Sequence, residues 1–215
     1  MLTSENVFNS VEFERAATEI ANVGRFLALK GWAPATSSNY STRLSENFIA
    51  ITRTGADKHE LDPADVLVIH SDGSPLSSGP QLKSSAETLI HTTIYELCPN
   101  AGAVLHTHSP LNTRISLKFL KEGGLKFSGY EMQKGLVGRT THEDTEFLPI
   151  LPNSQDMSDF SRWVRDLLAR HEHPCGFLIA GHGLYAWGKD LKEAQRIVET
   201  YEFLLSCLAL ELSGV

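Results

Sequence analysis

A chain of 215 residues is long enough to build one sizeable hydrophobic core, and a single domain over residues 1–215 is the expectation. Apolar residues make up 41% and charged residues 21%, the ordinary balance of a soluble globular protein. Nineteen basic against 26 acidic side chains leave a formal net charge of −7, which argues against a nucleic-acid backbone as the main partner but allows a local basic pocket for a small anion.

The cysteines Cys98, Cys175 and Cys207 are odd in number and far apart, so they read as free thiols in a reducing cytoplasm rather than as a disulfide framework. The start, MLTSENVFNS, lacks the basic and then apolar order of a signal peptide, and no apolar run approaches the roughly 18 residues of a membrane span. A cytoplasmic location with no membrane partner is expected.

In chain order, the first helix is predicted over SVEFERAATEIANVGRFLALKG. Phe13, Ala16, Ala17, Ile20, Val23 and Leu27 recur at helical spacing, with Ser10 to cap the start and Gly31 the end. NFIAITRTG and DVLVIHSDG read as strands closed by Gly55 and Gly73. A Ser-, Gly- and Pro-rich loop, SDGSPLSSGPQ, leads to a second helix at about residues 85–97. NAGAVLHTH is the next strand, and Ser109-Pro110 supplies a cap and a first-turn proline for a third helix. After a polar middle region, SDFSRWVRDLLARH is an amphipathic helix and GFLIAGHGLYAWG two short strands around a Gly-His-Gly turn. The last helix starts at Asp190 with a capping box to Glu193 and has an apolar face of Ala194, Ile197, Tyr201, Leu204, Leu205 and Leu208. The order describes an α/β single domain, a sheet with helices packed against it.

Two histidines interrupt this regular pattern. In a strand, residues two apart face the same way, so His106 and His108 project together while Thr107 points away. His182, between two glycines that permit a sharp turn, is the third candidate, against the plainer reading of a polar residue at a hairpin tip. Three neutral imidazoles without a thiolate suit zinc or a similar divalent ion and leave one position open, the mark of a catalytic site. His70, His91, His171 and His173 have no comparable setting and read as surface or packing residues.

Four polar segments, ATSSNYSTR, TRTGADK, LKSSAET and YEMQKG, lie near strand ends. The first three join small hydroxyl side chains to accessible amides: Thr54-Gly55 closes a strand, and Ser84-Ser85 opens a helix whose first-turn N–H groups favour an anion. Ser84 and Glu87 also fit a capping box, so Glu87 has a purely structural reading too.

KGWAPATSSNYSTR, ITRTG, LKSSAETLIH, AVLHTHSP and GHGLYAWG, five segments in this order across nearly the whole chain, resemble the class II aldolase family, which includes epimerases and the adducin head domain. The resemblance implies a central, mainly antiparallel sheet flanked by helices, with one Zn²⁺ per subunit on His106, His108 and His182. It also implies a sugar-phosphate substrate and a homotetramer with active sites near subunit interfaces. Asn39, Thr54, Gly55 and Ser85 resemble the family's phosphate-binding residues, and Lys134 is a further charge for that site. Two departures stand out: Ser38-Asn39 replaces the usual Gly-Asn, and Ala86 offers no hydroxyl where the family commonly has serine.

Within the family, YEMQKGL and HGLYAWG are most similar to its dehydratases, in which the first segment's glutamate, here Glu131, is the acid/base. Glu87 occupies the place of the aldolase acid/base and is given a supporting or structural role. The implied reaction abstracts a proton beside a ketose carbonyl and expels a hydroxyl, with no redox cofactor. The rivals are an aldolase or epimerase on another sugar phosphate, and a non-catalytic adducin-like module, which would have no need of three ligands.

Overall fold

The computed structural model describes residues 2–76, 82–171 and 174–214. Part of the SDGSPLSSGPQ loop, and His173, lie outside them. The first helix, α1 (Val11–Leu29), starts where Ser10 accepts a hydrogen bond from the Phe13 amide, and Gly31 follows it in the left-handed region. The strands after it are β1 (Asn39–Arg43), β2 (Phe48–Thr52) and β3 (Val66–His70). Helix α2 (Thr88–Leu97), strand β4 (Ala103–Thr107) and helix α3 (Pro110–Lys118) come next, the last capped by Ser109 with Pro110 in its first turn. The polar middle region contains β5 (Gly124–Phe127), a 3₁₀ turn (Glu131–Gly135) and β6 (Glu146–Leu151). Helix α4 (Met157–Arg170), strands β7 (Gly176–Ile179) and β8 (Gly183–Gly188), and helix α5 (Leu191–Ser213) complete the order.

Four elements and one helix cap differ from the sequence reading. NYSTR, read only as an anion-binding segment, is strand β1 at the middle of the sheet, where Asn39 and Ser41 bond to side chains of α2, and Thr42 and Arg43 to backbone carbonyls. β5 and β6 escaped notice because β5 is short and β6 alternates poorly around Pro149. Helix α2 begins at Thr88 rather than about residue 85, and the Glu87 side chain makes no cap hydrogen bond. At α5 the expected box is rearranged: Asp190 accepts from the Glu193 amide, but the Glu193 carboxylate reaches back to the Lys189 amide.

All eight strands form one sheet in the order β3-β2-β1-β4-β8-β7-β6-β5, antiparallel except for the β6–β7 pair. Alternation along each strand divides the core into two layers. Ala103, Leu105, Leu184 and Ala186 face the layer that includes α1 and α5. Val104, Phe177, Tyr185 and Trp187 face the layer of α2 and α4, where Ile90, Ile94 and Phe160 are fully buried. Both faces are covered, so β2, β4, β7 and β8 are buried along their whole length. Side chains of this size contribute about 1.5–3 kcal/mol each on burial. Among the described residues no helix is long and apolar enough to cross a membrane.

The functional consequence is at the C-terminal end of β4. His106 lies on the α2/α4 face, and His106 pairs with Asn39 of β1 on one side and Tyr185 of β8 on the other. The N-terminus of α2 sits over the same end of the sheet, so a residue at that terminus meets whatever β4 and β8 present there.

Candidate metal and acid–base site

The metal-type cluster predicted from spacing is assembled: one nitrogen of each of His106, His108 and His182 falls in a group no more than 4.8 Å across. The rings of His106 and His108 are 4.4 Å apart between centroids, and those of His106 and His182 4.9 Å. His106 is the last residue of β4 on the α2/α4 face, while His108 lies just past the strand end, its amide bonded to the Trp32 carbonyl at 2.7 Å. His182 arrives from the hairpin tip through two glycines. Gly181 has φ +66, and a Cβ on Gly183 would lie 2.1 Å from the Thr107 carbonyl oxygen. Only a residue without a side chain lets β8 approach β4 this closely.

The donor chemistry fits a divalent ion. The Leu184 carbonyl, 3.1 Å from His106 Nδ1, accepts only, so Nδ1 carries the proton and Nε2 is left with a free lone pair. That Nε2 is 3.2 Å from His182 Nε2. Tetrahedral zinc–nitrogen bonds of about 2.0–2.1 Å place ligand nitrogens about 3.3 Å apart. Burial holds His106 well below the ordinary imidazole value, opposed by Glu87 and aided by the other two histidines. Burial lowers His108 to about 4, with further contributions from His182 and Lys58. Both shifts favour the neutral ring that a metal ligand requires. Tyr185 stacks on His106 at 4.0 Å and 13°, which fixes the ring plane.

Glu87 closes the open side. Its Oε1 is 2.9 Å from His182 Nε2 and 3.7 Å from His106 Nε2, and its Oε2 accepts from Asn39 Nδ2 at 2.6 Å. Burial raises its pKa, but His106, His182 and Asn39 outweigh that and hold it far below the usual carboxylate range. The capping-box reading is therefore set aside: the side chain of Glu87 points into the histidine cluster.

Behind Asn39 lies a set of residues that the sequence reading passed over. His91, taken for a surface or packing residue, is fully buried and bonds through Nε2 to Asn39 Oδ1. Its Nδ1 is 2.7 Å from Ser41 Oγ, which is 2.9 Å from the Tyr95 hydroxyl. One signal was available: Glu87, His91 and Tyr95 are spaced four apart and share a helix face. Lys58, also fully buried and also missed, donates to the Ala56 carbonyl, and burial lowers it to about 8.

The anion-binding segments are brought together in part. Arg53 forms an isolated antiparallel bridge with Ser84, which sets Thr54-Gly55 beside Ser84-Ser85. The Thr54 amide is not free, since it donates to the Lys83 carbonyl at 2.8 Å. Gly55 has φ +71 and open space where a Cβ would stand. Ser85 Oγ accepts from the Glu87 amide at 3.2 Å. Ser38, in the place of the usual glycine, keeps the left-handed conformation at φ 72. Glu131 and Lys134 stand apart from these groups. They pair with each other at 2.6 Å, Glu131 also meets His142 at 3.3 Å, and the Glu131 side chain is 68% exposed.

A mainly antiparallel sheet with three histidines and a carboxylate at one strand end defines a class, and the comparisons agree on it. The chain belongs to the class II aldolase and adducin family, whose N-terminal-domain model matches residues 18–209. It is 43% identical over 201 residues to the methylthioribulose-1-phosphate dehydratase of Marinobacter nauticus, covering 94% of this chain and 96% of that protein. It is 47% identical over 194 residues to the protein of the same name from Stenotrophomonas maltophilia, covering 90% and 89%. Among solved structures, L-fuculose-1-phosphate aldolase from Thermus thermophilus superimposes with a TM-score of 0.73 at 24% identity, over 94% of this chain and 99% of that one.

Proposed function

We propose that this chain is a hydro-lyase that removes water from 5-methylthioribulose 1-phosphate to give 2,3-diketo-5-methylthiopentyl 1-phosphate, the methionine-salvage reaction. The observation that carries this reading is the likeness, at 43–47% identity over about nine-tenths of the chain, to dehydratases of that name, together with the assembled histidines and Glu87. His106, His108 and His182 would hold one zinc ion per subunit. Such an ion supplies Lewis acidity toward the ketose oxygens, which makes the adjacent C3 proton removable. Asn39, Gly55 and Ser85, with Thr54, would seat the phosphate beside the N-terminus of α2.

A carboxylate then takes the C3 proton, the C4 hydroxyl leaves as water once protonated, and the resulting enol tautomerises to the diketone. Two carboxylates are candidates. Glu87 is supported by its Oε1 lying 2.9 Å from His182 Nε2 and by surroundings that favour the carboxylate form. Glu131 projects from the surface beside Lys134, and in a homotetramer whose sites lie near interfaces it would serve a neighbouring copy's site. The assigned acid/base remains Glu131, acting between subunits, with Glu87 supporting it. The three unpaired cysteines support the cytoplasmic expectation.

The test is turnover of methylthioribulose 1-phosphate to diketone by purified protein, beside dihydroxyacetone phosphate with aldehydes. Aldol cleavage or condensation without dehydration would refute the reading in favour of an aldolase. His106→Ala should lose the metal and remain folded, because an open catalytic site contributes less to folding than a closed structural one. Undiminished zinc in that variant would exclude the triad.

A further inference from the structure

The buried residues behind Glu87 form one continuous hydrogen-bonded chain, Tyr95–Ser41–His91–Asn39–Glu87, running from the last turn of α2 through β1 to the site. Tyr95, Ser41, His91 and Asn39 are all at most 4% exposed. In such a chain the direction of every hydrogen bond is set by its neighbours. Asn39 turns its amide nitrogen to Glu87 Oε2, so its Oδ1 faces His91 and can only accept. His91 Nε2 must therefore donate. Burial lowers His91 to about 4, so the ring is neutral and Nδ1 can only accept, and Ser41 Oγ must donate to it at 2.7 Å. The Ser41 oxygen in turn accepts from the Tyr95 hydroxyl at 2.9 Å.

We infer that His91 is a positioning residue for the reaction: held in its Nε2–H tautomer by Ser41 and Tyr95, it locks the Asn39 amide in one orientation, so that Glu87 is anchored through Oε2 and offers Oε1 alone to the substrate side. The inference rests on the reading that Glu87 faces the reacting sugar. The two ring nitrogens of His91 meet Asn39 and Ser41 rather than the three site histidines. Tyr185 separates it from them, edge-on to His91 at 5.7 Å and stacked on His106 at 4.0 Å. If the chain fails, the Asn39 amide can turn over and present an acceptor to an acceptor, which drives Glu87 off its anchor or forces it to hold a proton.

The experiment combines a spectrum with kinetics. In ¹⁵N-labelled wild-type protein, two-bond ¹⁵N–¹H correlation should show His91 as a single neutral tautomer, protonated at Nε2 and unprotonated at Nδ1, from about pH 6 to 8. This readout needs no substrate, so it survives even if the proposed reaction is wrong. His91→Phe, which removes both nitrogens, should keep its metal while kcat falls about 10–100-fold, the range for lost outer-shell partners. His91→Gln restores a donor near the Nε2 position and should recover part of that loss. An Nδ1–H tautomer in the wild type would overturn the inference. So would a folded His91→Phe variant with wild-type kcat, or equal losses in the Phe and Gln variants. Should His91→Phe fail to fold, the wild-type spectrum and the Gln variant decide.

Discussion

Replacing Gly183 by alanine isolates the step by which the fold brings the third histidine to the other two. The added Cβ would sit 2.1 Å from the Thr107 carbonyl oxygen and 2.9 Å from His106 Cε1. Carbon–oxygen contacts settle at about 3.3–3.6 Å, so the β4–β8 seam must open by roughly 1 Å at the residue next to His182. Overpacking of this kind costs about 1–3 kcal/mol, which for a chain of this size lowers Tm by roughly 2–10 °C. The functional loss should be larger than the stability loss, because a misplacement of about 1 Å can cost on the order of 100-fold in rate. Zinc affinity by competitive chelation, kcat and thermal melting measured together test this. Gly123→Ala is the control: its φ is +73 with nothing within 4 Å of a Cβ, so it adds strain without touching the site. A Gly183→Ala protein with wild-type zinc affinity and turnover would refute the claim that strand spacing sets the imidazole geometry.

Glu131→Gln should retain zinc and substrate binding while kcat falls by about 100-fold or more, and Glu87→Gln should cost less; the reverse order would move the acid/base to Glu87 and favour aldolase chemistry. If Glu131 acts across an interface, co-expressing Glu131→Gln with His106→Ala should regain activity that neither variant has alone, and no recovery would place both groups in one subunit's site. Ser38→Gly releases a left-handed residue and should raise Tm by about 2–4 °C, the equivalent of roughly 1 kcal/mol, with metal content unchanged; a lower Tm would mean that the serine side chain contributes more than its backbone costs. Glu202, buried in α5 and accepting from Ser109 at 2.8 Å and Asn112 at 3.0 Å, is pushed up to about 7 by burial despite those two donors. Between about pH 4.5 and 7 the folded state keeps that proton and the unfolded state loses it, so stability falls as pH rises through this window, by on the order of 3 kcal/mol, and levels off above it. Glu202→Gln should flatten that slope in urea denaturation and be the more stable protein at pH 8, and an unchanged slope would assign the effect to another group.

The histidine cluster was legible in the sequence because it depends on local rules: a two-residue strand period aims His106 and His108 together, and glycines on both sides of His182 are what a close strand approach requires. Helix ends at Ser10, Ser109 and Asp190 were readable for the same reason, since a cap involves only residues three or four apart. β1 was not, because a strand of polar residues looks like a loop until its cross-strand and cross-layer partners are known. Ser41 and Asn39 are polar and buried because His91, Tyr95 and Glu87, about fifty residues away, complete their hydrogen bonds. The same holds for Glu87, which local pattern makes a helix cap and the fold turns into a site carboxylate by setting the start of α2 over the end of β4. Local spacing thus determined which atoms could bind a metal. Which carboxylate meets them, and what holds it there, was decided by contacts between elements remote in the chain, whose energies no short window of sequence contains.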